Sequence, residues 1–377
     1  MTTTIEVPED LSGLDEAIAQ VPNNPAVFLL WPREGDPYLA KTTLLRRRLL
    51  RLLKEREKPS RLLNLRHTVR RIEYQLTGSP FESMVLMYEL ARRHFPKTYL
   101  ELLKLRMPTY LKLVLTNEFP RSQLTAHLGR AAALYCGPFR SRASAEKFES
   151  QFLDLFQMRR CQEDLAPSPE HPGCIYGEMG MCLRPCQQVV GRDEYLHEVG
   201  RVAEFLKTGG HSLLDTIGRA RDRYSEEMLF EEAARQHKRL EKVQEVLKLR
   251  DDLARDIDNL HGVAITPSAA PNAVELWTVR EGYWQPPRRL SFEVQEGKPV
   301  SLDGKLRELL GGPAARGLTM RERQEYLALL ARWFYSSWRD GEWLAIETFE
   351  SLPYRKLVHA VSRVAHLGQA KPPALPF

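Results

Sequence analysis

Apolar and polar residues alternate or recur with helical spacing along most of the chain, and this pattern predicts the elements of its first quarter. We expect strands at 26–31, 38–40 and 70–77, and helices at about 43–56 and 81–94. The stretch from Pro32 to Pro37 contains Pro, Gly and Asp, which predicts the turn of a β-hairpin. Ser79 and Pro80 stand where a helix begins. The chain therefore opens with a small unit of strands and helices.

The middle of the chain has three parts: strands followed by a helix, an irregular stretch, and a second helical region. Strands are predicted at 111–115 and 123–127, and a helix is predicted at 144–158. The stretch 159–186 is rich in proline and glycine and has little periodicity, so we expect that a cross-link such as a bound metal stabilises it. Helical spacing from 191 to 258 predicts a helical hairpin that turns near Met228.

The last third begins with strands and ends with helices. Strands are predicted at 263–265, 274–279 and 290–294, helices around 321–338 and 354–365, and a loose tail at 371–377. This order predicts an α+β multidomain protein, because runs of strands and runs of helices are separated along the chain. The expected domains are 1–105, 106–212, 213–256 and 257–377.

Composition excludes a membrane protein. Of the 377 residues, 43% are hydrophobic, and no apolar run approaches the ~18 residues that a membrane span needs. The polar N-terminus also lacks the charged-then-apolar layout of a signal peptide. We therefore expect a cytoplasmic protein that has no membrane partner.

Positive charge is concentrated in one short stretch. Twelve Lys and Arg residues lie between Lys41 and Arg71 against Glu55 and Glu57, a surplus of ten where the whole chain has a surplus of six. Such a stripe is typical of a surface that binds phosphate backbones, so DNA is the predicted partner. The alternatives are a solvated helix face, an acidic protein partner or a membrane surface. The candidate DNA-binding residues are Lys41, Arg46, Arg47, Arg48, Arg51 and Lys54.

Four of the five cysteines lie within 26 residues, at Cys161, Cys174, Cys182 and Cys186. Closely spaced thiolates bring soft ligands together, so the spacing predicts one metal centre, either zinc or an iron–sulfur cluster. The absence of a C-x-x-C pair favours the cluster over zinc. Four unliganded thiols are the structural alternative. Cys136 stands apart, and we expect it to be a small buried residue.

Several landmarks resemble, in order, the N-terminal half of the UvrC family, the dual-incision nucleases of bacterial nucleotide excision repair. The resemblance covers roughly residues 20–255 and, more faintly, 256–310. It depends on Val27-Phe28, Tyr38-Leu39-Ala40-Lys41, Ser79-Pro80-Phe81-Glu82, Tyr135-Cys136-Gly137-Pro138-Phe139, the four cysteines and Phe230-Glu231-Glu232-Ala233-Ala234. The cysteine spacing and the Phe-Glu-x-Ala-Ala stretch are its specific parts.

The resemblance implies the character of each segment. The first would be a GIY-YIG nuclease-like α/β domain, and the cysteines would hold a [4Fe–4S] cluster, with zinc as the alternative. The helical hairpin would be a UVR domain that docks on the excinuclease component UvrB, or on a related protein, through Phe230, Glu231, Ala233 and Ala234. The C-terminal strands resemble only the start of an RNase H-like nuclease, so this region is expected to be degenerate.

The resemblance also implies that the GIY-YIG nuclease has lost groups that it needs. Tyr38, Lys41 and Arg48 match catalytic positions, whereas Phe28, Met87 and Tyr99 occupy the positions of a tyrosine, a metal-binding glutamate and an asparagine. Glu82 and Glu89 would point about 140° and 200° away from Met87 around a helix, so neither replaces the lost ligand. Since Mg²⁺ is held by only one or two carboxylates, a divalent metal here is doubtful.

These observations predict a DNA-binding protein of nucleotide excision repair type that is nuclease-deficient and docks on UvrB. The alternative enzyme is a single-incision, structure- or damage-specific endonuclease with a rearranged metal site. A third hypothesis is a regulator whose DNA affinity depends on the state of the cluster.

Overall fold

A computed structural model describes residues 2–55, 63–129, 132–292, 301–315 and 317–369. Within these ranges, three separate antiparallel sheets and the helices packed on them make up the structure. The predicted α+β class is confirmed. Arg56, Lys58 and Arg61 of the charge-rich stretch, the last two residues of the strand predicted at 290–294 and the predicted tail lie outside the described residues.

The first sheet forms the predicted hairpin and adds one strand on each side. Its strands are β1 (Thr3–Glu6), β2 (Ala26–Pro32), β3 (Tyr38–Thr42) and β4 (Val69–Leu76), in the order β1-β4-β2-β3. Helices α1 (Leu14–Gln20) and α2 (Leu45–Leu53) cover one face. Strand β1 was not predicted, because four exposed or half-exposed residues give no apolar alternation.

Helix α2 is amphipathic, which explains why it packs on the first sheet. Leu45, Leu49, Leu52 and Leu53 are buried, at the spacing that puts residues on one side of a helix. Arg47 and Arg51, on the other side of the helix, are exposed. The helix ends three residues before the predicted limit because Lys54 adopts an extended conformation.

Helices α3 (Pro80–His94) and α4 (Tyr99–Leu103) follow the first sheet. Ser79 caps α3 by accepting a 2.9 Å hydrogen bond from the Glu82 amide, and Pro80 occupies the first turn, as the sequence predicts. The core of α3 is shared with the far end of the chain. Phe81 packs edge-on against Trp277 and lies 4.7 Å from the ring of Trp333.

The second sheet lies in the middle of the chain. Its order is β6-β5-β7-β8, from β5 (Thr109–Val114), β6 (Arg121–Thr125), β7 (Ala133–Phe139) and β8 (Arg255–Asp256). The helices of this region are α5 (Arg142–Leu153), α6 (Ile175–Glu178), α7 (Arg192–Lys207), α8 (His211–Glu226) and α9 (Phe230–Lys248). Helix α5 starts two residues before the predicted position because Ser141 forms a capping box with Ser144.

The third sheet lies between two layers of helices. It consists of β9 (Gly262–Pro267), β10 (Ala273–Arg280), β11 (Tyr283–Trp284), β12 (Arg288–Ser291) and β13 (Glu342–Ala345). Helix α11 (Met320–Phe334) covers one face, and α10 (Leu302–Leu310) and α12 (Tyr354–Gln369) cover the other. Ala264 faces α11 while Val263 and Ile265 face α12, as alternation along a strand requires.

A buried carboxylate joins the beginning of the chain to its end. Glu325 of α11 is 1% exposed and accepts 2.7 Å hydrogen bonds from the hydroxyls of Tyr88 and Tyr99. Arg321 donates a further bond at 2.9 Å. One apolar core therefore includes residues from both the first and the last predicted domains. The domain boundaries themselves stay predictions.

Candidate nucleic-acid interface and cysteine cluster

Two of the three residues that match catalytic positions by resemblance lie in contact. Arg48 of α2 donates a 3.0 Å hydrogen bond from its guanidinium to the hydroxyl of Tyr38 on β3. Both side chains are half-buried, and the ring of Phe28 lies 6.2 Å from that of Tyr38. The pair is thus held in place on the α2 side of the first sheet.

Lys41 lies elsewhere. It is three residues from Tyr38 on the same strand, so alternation directs it to the opposite face of the sheet. Partial desolvation, and then the positive charge of Arg332, lower the pKa of Lys41, although its side chain still reaches solvent. The structure does not bring Lys41 together with Tyr38 and Arg48.

The three residues that depart from the resemblance, Phe28, Met87 and Tyr99, carry no carboxylate. Phe28 is fully buried, Met87 is half-buried on α3, and the Tyr99 hydroxyl is bonded to Glu325. The two acids near Met87 are engaged, since Glu82 accepts from the Gly78 amide at 2.6 Å and Glu89 accepts from the Tyr326 hydroxyl at 3.3 Å.

The outer side of α2 presents its basic residues to solvent. Arg47, Arg51 and Lys54 are exposed, whereas Arg46 is half-buried and donates to the Val21 carbonyl at 2.7 Å. We call Lys41, Arg46, Arg47, Arg48, Arg51 and Lys54 the basic stripe. These are the six predicted DNA-binding residues. Lys41 lies on β3, and the other five lie on α2 or at its end.

Other arginines of the charge-rich stretch have structural roles. Arg66 is 7% exposed and forms two 2.8 Å bonds to the Asp15 carboxylate and one to the Leu53 carbonyl. Arg71 pairs with Glu73 at 2.9 Å and lies 4.7 Å above the Trp31 ring. The charge available to a ligand is therefore smaller than the count along the sequence.

The cysteine stretch is anchored on the middle sheet and α7. Arg159 is 1% exposed and donates to the Phe119 and Glu163 carbonyls at 3.0 and 2.8 Å, and more weakly to the Cys161 sulfur at 3.5 Å. The Arg184 amide donates to the Cys182 sulfur at 3.4 Å. Hydrogen bonds to sulfur are among the contacts that tune iron–sulfur sites.

The thiols also influence one another electrostatically. Cys182 and Cys186 are buried, and Cys161 and Cys174 are half-buried. Desolvation, and to a lesser extent the charges of the other three cysteines, raise the pKa of Cys182 to about 11, and desolvation with two of those charges raises the pKa of Cys186. A bound cation would relieve this repulsion, so the donor set suits a metal centre.

The described cysteines do not form a preassembled site for a single metal ion. Within the described ranges, no group of three or more His, Cys, Asp or Glu side chains is placed to hold a metal ion. Cys136 is buried on β7, as expected, and desolvation raises its pKa to about 12.

The tip of the helical hairpin exposes three consecutive apolar residues. Met228, Leu229 and Phe230 are 77%, 47% and 67% exposed, and the hairpin turns at Met228 as predicted. Met228 adopts a left-handed φ of 58°, and the Leu229 amide bonds back to the Tyr224 carbonyl, which ends α8 with a Schellman-type turn. Glu231 and Ala234 are exposed beside them and Ala233 is half-buried.

Sequence reasoning missed a second basic surface. A cavity of about 900 Å³ lies between the end of α4, the start of α5 and α11, and its charged lining residues are Lys104, Arg106, Arg140, Arg142 and Arg332. We call it the basic groove. These residues are spread over more than half of the chain, so no local charge run indicates them.

No helix in the described part of the chain has both the length and the apolar character that crossing a bilayer requires.

Comparison with known proteins identifies relatives of the chain. Residues 109–205 match the family model described as the UvrC/Cho excinuclease, middle domain. This segment begins at the first residue of β5 and ends within α7, so it includes all four clustered cysteines.

Similar curated proteins have one common description, "UvrABC system protein C". That of Lachnospira eligens is 25% identical over 295 residues, which cover 77% of this chain and 48% of the relative. Those of Moorella thermoacetica and Desulfatibacillum aliphaticivorans are 29% and 28% identical over 62% and 75% of this chain. The chain spans about half the length, or less, of these relatives. No solved structure matches the chain significantly.

Proposed function

Because the chain belongs to the UvrC family of excinuclease proteins, we propose that it is a DNA-binding protein of nucleotide excision repair type that lacks nuclease activity. Two observations support this most: Arg47, Arg51 and Lys54 are exposed on the outer side of α2, and Phe28 and Met87 stand where the resemblance expects a tyrosine and a metal-binding glutamate. The protein would thus retain a DNA-binding surface but not the groups that cleave DNA.

DNA binding through the basic stripe is tested by replacing Arg47 and Lys54, both exposed, with alanine. Each phosphate contact contributes a slope of about 0.9 to the dependence of log K on log salt concentration. The double variant should therefore bind a labelled duplex more weakly, with a slope smaller by about two. An unchanged slope would exclude the stripe as the binding surface.

The cysteine cluster would hold a [4Fe–4S] cluster, with Cys161, Cys174, Cys182 and Cys186 as ligands. Such a group would link loop segments that have few apolar contacts. Anaerobically purified protein should contain about four iron atoms per chain, and Cys182→Ser should lose them. Cys136→Ala, on the neighbouring sheet, is the matched control and should keep its iron. Stoichiometric zinc, or no metal in the parent protein, would contradict the cluster.

The hairpin tip would be the docking surface for UvrB. Large apolar residues that are exposed together on a rigid turn are typical of protein contacts, and the acidic start of α9 adds charge specificity.

A single-incision endonuclease is the second candidate. It is favoured by the 3.0 Å contact between Arg48 and Tyr38, which places a cation of the basic stripe next to a phenol. This enzyme would need a divalent metal bound by groups other than those at position 87.

A further inference from the structure

The basic groove is a strongly positive surface of the molecule. Each of its charged lining residues is a cation, and all five are exposed. Its floor is formed in part by Ala328 and Ala331 of α11, whose small side chains leave room for a ligand. An open cavity lined by several exposed cations favours an extended anion over a compact neutral ligand.

Two of the cations are held in position by other contacts. The guanidinium of Arg140 lies 5.3 Å above the ring of Tyr335, whose hydroxyl donates to the Pro138 carbonyl at 3.0 Å. Arg332 donates to the Leu103 carbonyl at 3.4 Å. Guanidinium groups fixed in this way lose less entropy when they bind phosphate.

Acidic residues near the groove do not cancel its charge. Glu146 pairs with Arg142 at 2.8 Å, and Asp251 accepts from the Arg140 amide at 2.7 Å, but neither lines the cavity. The Glu146 pair is largely solvent-exposed and therefore weak. The N-terminus of α5 contributes partial positive charge to the groove and the C-terminus of α11 contributes partial negative charge. These two helix dipoles oppose each other, so the charged side chains determine the sign of the electrostatic potential in the groove.

The groove also approaches the basic stripe. Leu39 of β3 packs against the apolar core that contains Leu327 and Leu330 of α11, and Lys41, two residues further along the strand, lies on that same face of the sheet. In agreement with this, the charge of Arg332 contributes to lowering the pKa of Lys41, after desolvation. A backbone of regularly spaced phosphates bound at Lys41 could therefore continue past Arg332 into the groove.

We propose that the basic groove is a second binding site for the phosphate backbone of DNA, formed by the 104–109 connection, the 139–142 corner and the end of α11. This proposal rests on the proposed DNA-binding function, and it assigns that function a surface that no local sequence pattern indicates. The recognition would be sequence-independent, because arginine and lysine contacts to phosphate fix position without distinguishing bases.

The test compares two double variants that each remove two exposed cations. Arg106→Ala with Arg332→Ala changes the groove, whereas Arg355→Ala with Lys356→Ala changes α12, on the other side of the third sheet. All four side chains are exposed, so thermal unfolding should stay close to that of the parent in both. Binding of a labelled duplex is measured by fluorescence anisotropy at several salt concentrations.

The groove variant should bind more weakly than the parent, with a salt slope smaller by about two, while the α12 variant should match the parent. The ratio of the parent's binding constant to that of the groove variant should fall roughly tenfold when the salt concentration is raised from ~50 to ~200 mM. Charge reversal by Lys104→Glu should weaken binding in the same direction.

If the groove variant binds like the parent while Arg47→Ala with Lys54→Ala weakens binding, the groove proposal is wrong and the proposed function stands. If the parent does not bind DNA at any of these salt concentrations, both are wrong.

Discussion

At the scale of single residues, the position of a charge in the fold decides its role. Arg66 and Arg48 belong to the same charge-rich stretch, yet Arg66 is buried against Asp15 and Arg48 reaches Tyr38 beside the solvent. Residue type and spacing cannot separate the two roles, because burial depends on contacts with residues distant in the chain. The cysteines differ in this respect, since their clustering is already visible in the sequence.

Glu82 gives a residue-scale prediction of pH dependence. Desolvation raises the pKa of this buried carboxyl to about 7, so the folded state holds its proton above the pH at which the unfolded state releases it. Its contribution to stability therefore falls as pH rises from about 4.5 to about 7, by about 3 kcal/mol in total. Glu82→Gln keeps an acceptor for the Gly78 amide and removes this dependence.

The variant should be close to the parent in stability at pH 5 and more stable at pH 8, as measured by thermal unfolding across this range. A constant difference between the two proteins over the whole range would show that Glu82 does not titrate as described.

At the scale of elements, much of the fold could be predicted from the sequence, and two of the missed strands share a cause. The hairpin of β2 and β3, the amphipathic α2 and the α8–α9 hairpin all follow from local periodicity. The two-residue β8 and the short β13 do not, because each is defined by pairing with a strand formed elsewhere in the chain. The basic groove escaped prediction for the same reason.

The packing of α3 and α4 on α11 gives an element-scale prediction. Glu325→Ala leaves the buried hydroxyls of Tyr88 and Tyr99 without their acceptor, so we expect it to lower the free energy of unfolding by about 3 kcal/mol. Arg321→Ala removes only the partner whose side chain is 67% exposed and should cost less than about 1 kcal/mol. Urea unfolding measures both. Equal losses would contradict the shared core.

The hairpin tip supplies a second prediction at this scale. Phe230 is 67% exposed, so Phe230→Ala should change the free energy of unfolding by no more than about 0.5 kcal/mol. If the tip is the docking surface, the same change should weaken binding to UvrB by about thirtyfold or more. Val189→Ala removes an apolar side chain that is 53% exposed on another surface and serves as the control. Unchanged affinity of the Phe230 variant, measured by calorimetry, would rule out docking through the tip.

At the scale of the whole molecule, the functional surfaces are distributed over one continuous structure. The basic stripe lies on the first sheet, the basic groove between the middle and last segments, and the hairpin tip beyond the second sheet. The core that Glu325 helps to form holds the first and last segments together. Such an arrangement suits the proposed role, in which the protein positions DNA and a partner relative to each other.

The most direct test of this account is a nicking assay. Anaerobically purified protein is incubated with a lesion-bearing duplex and Mg²⁺ or Mn²⁺, with and without the excinuclease components UvrA and UvrB, and Arg48→Ala is assayed in parallel. The account predicts that the parent protein binds the duplex and cuts neither strand. Incision by the parent that Arg48→Ala abolishes would contradict it, and would show that the domain remains an enzyme with a metal held by other groups.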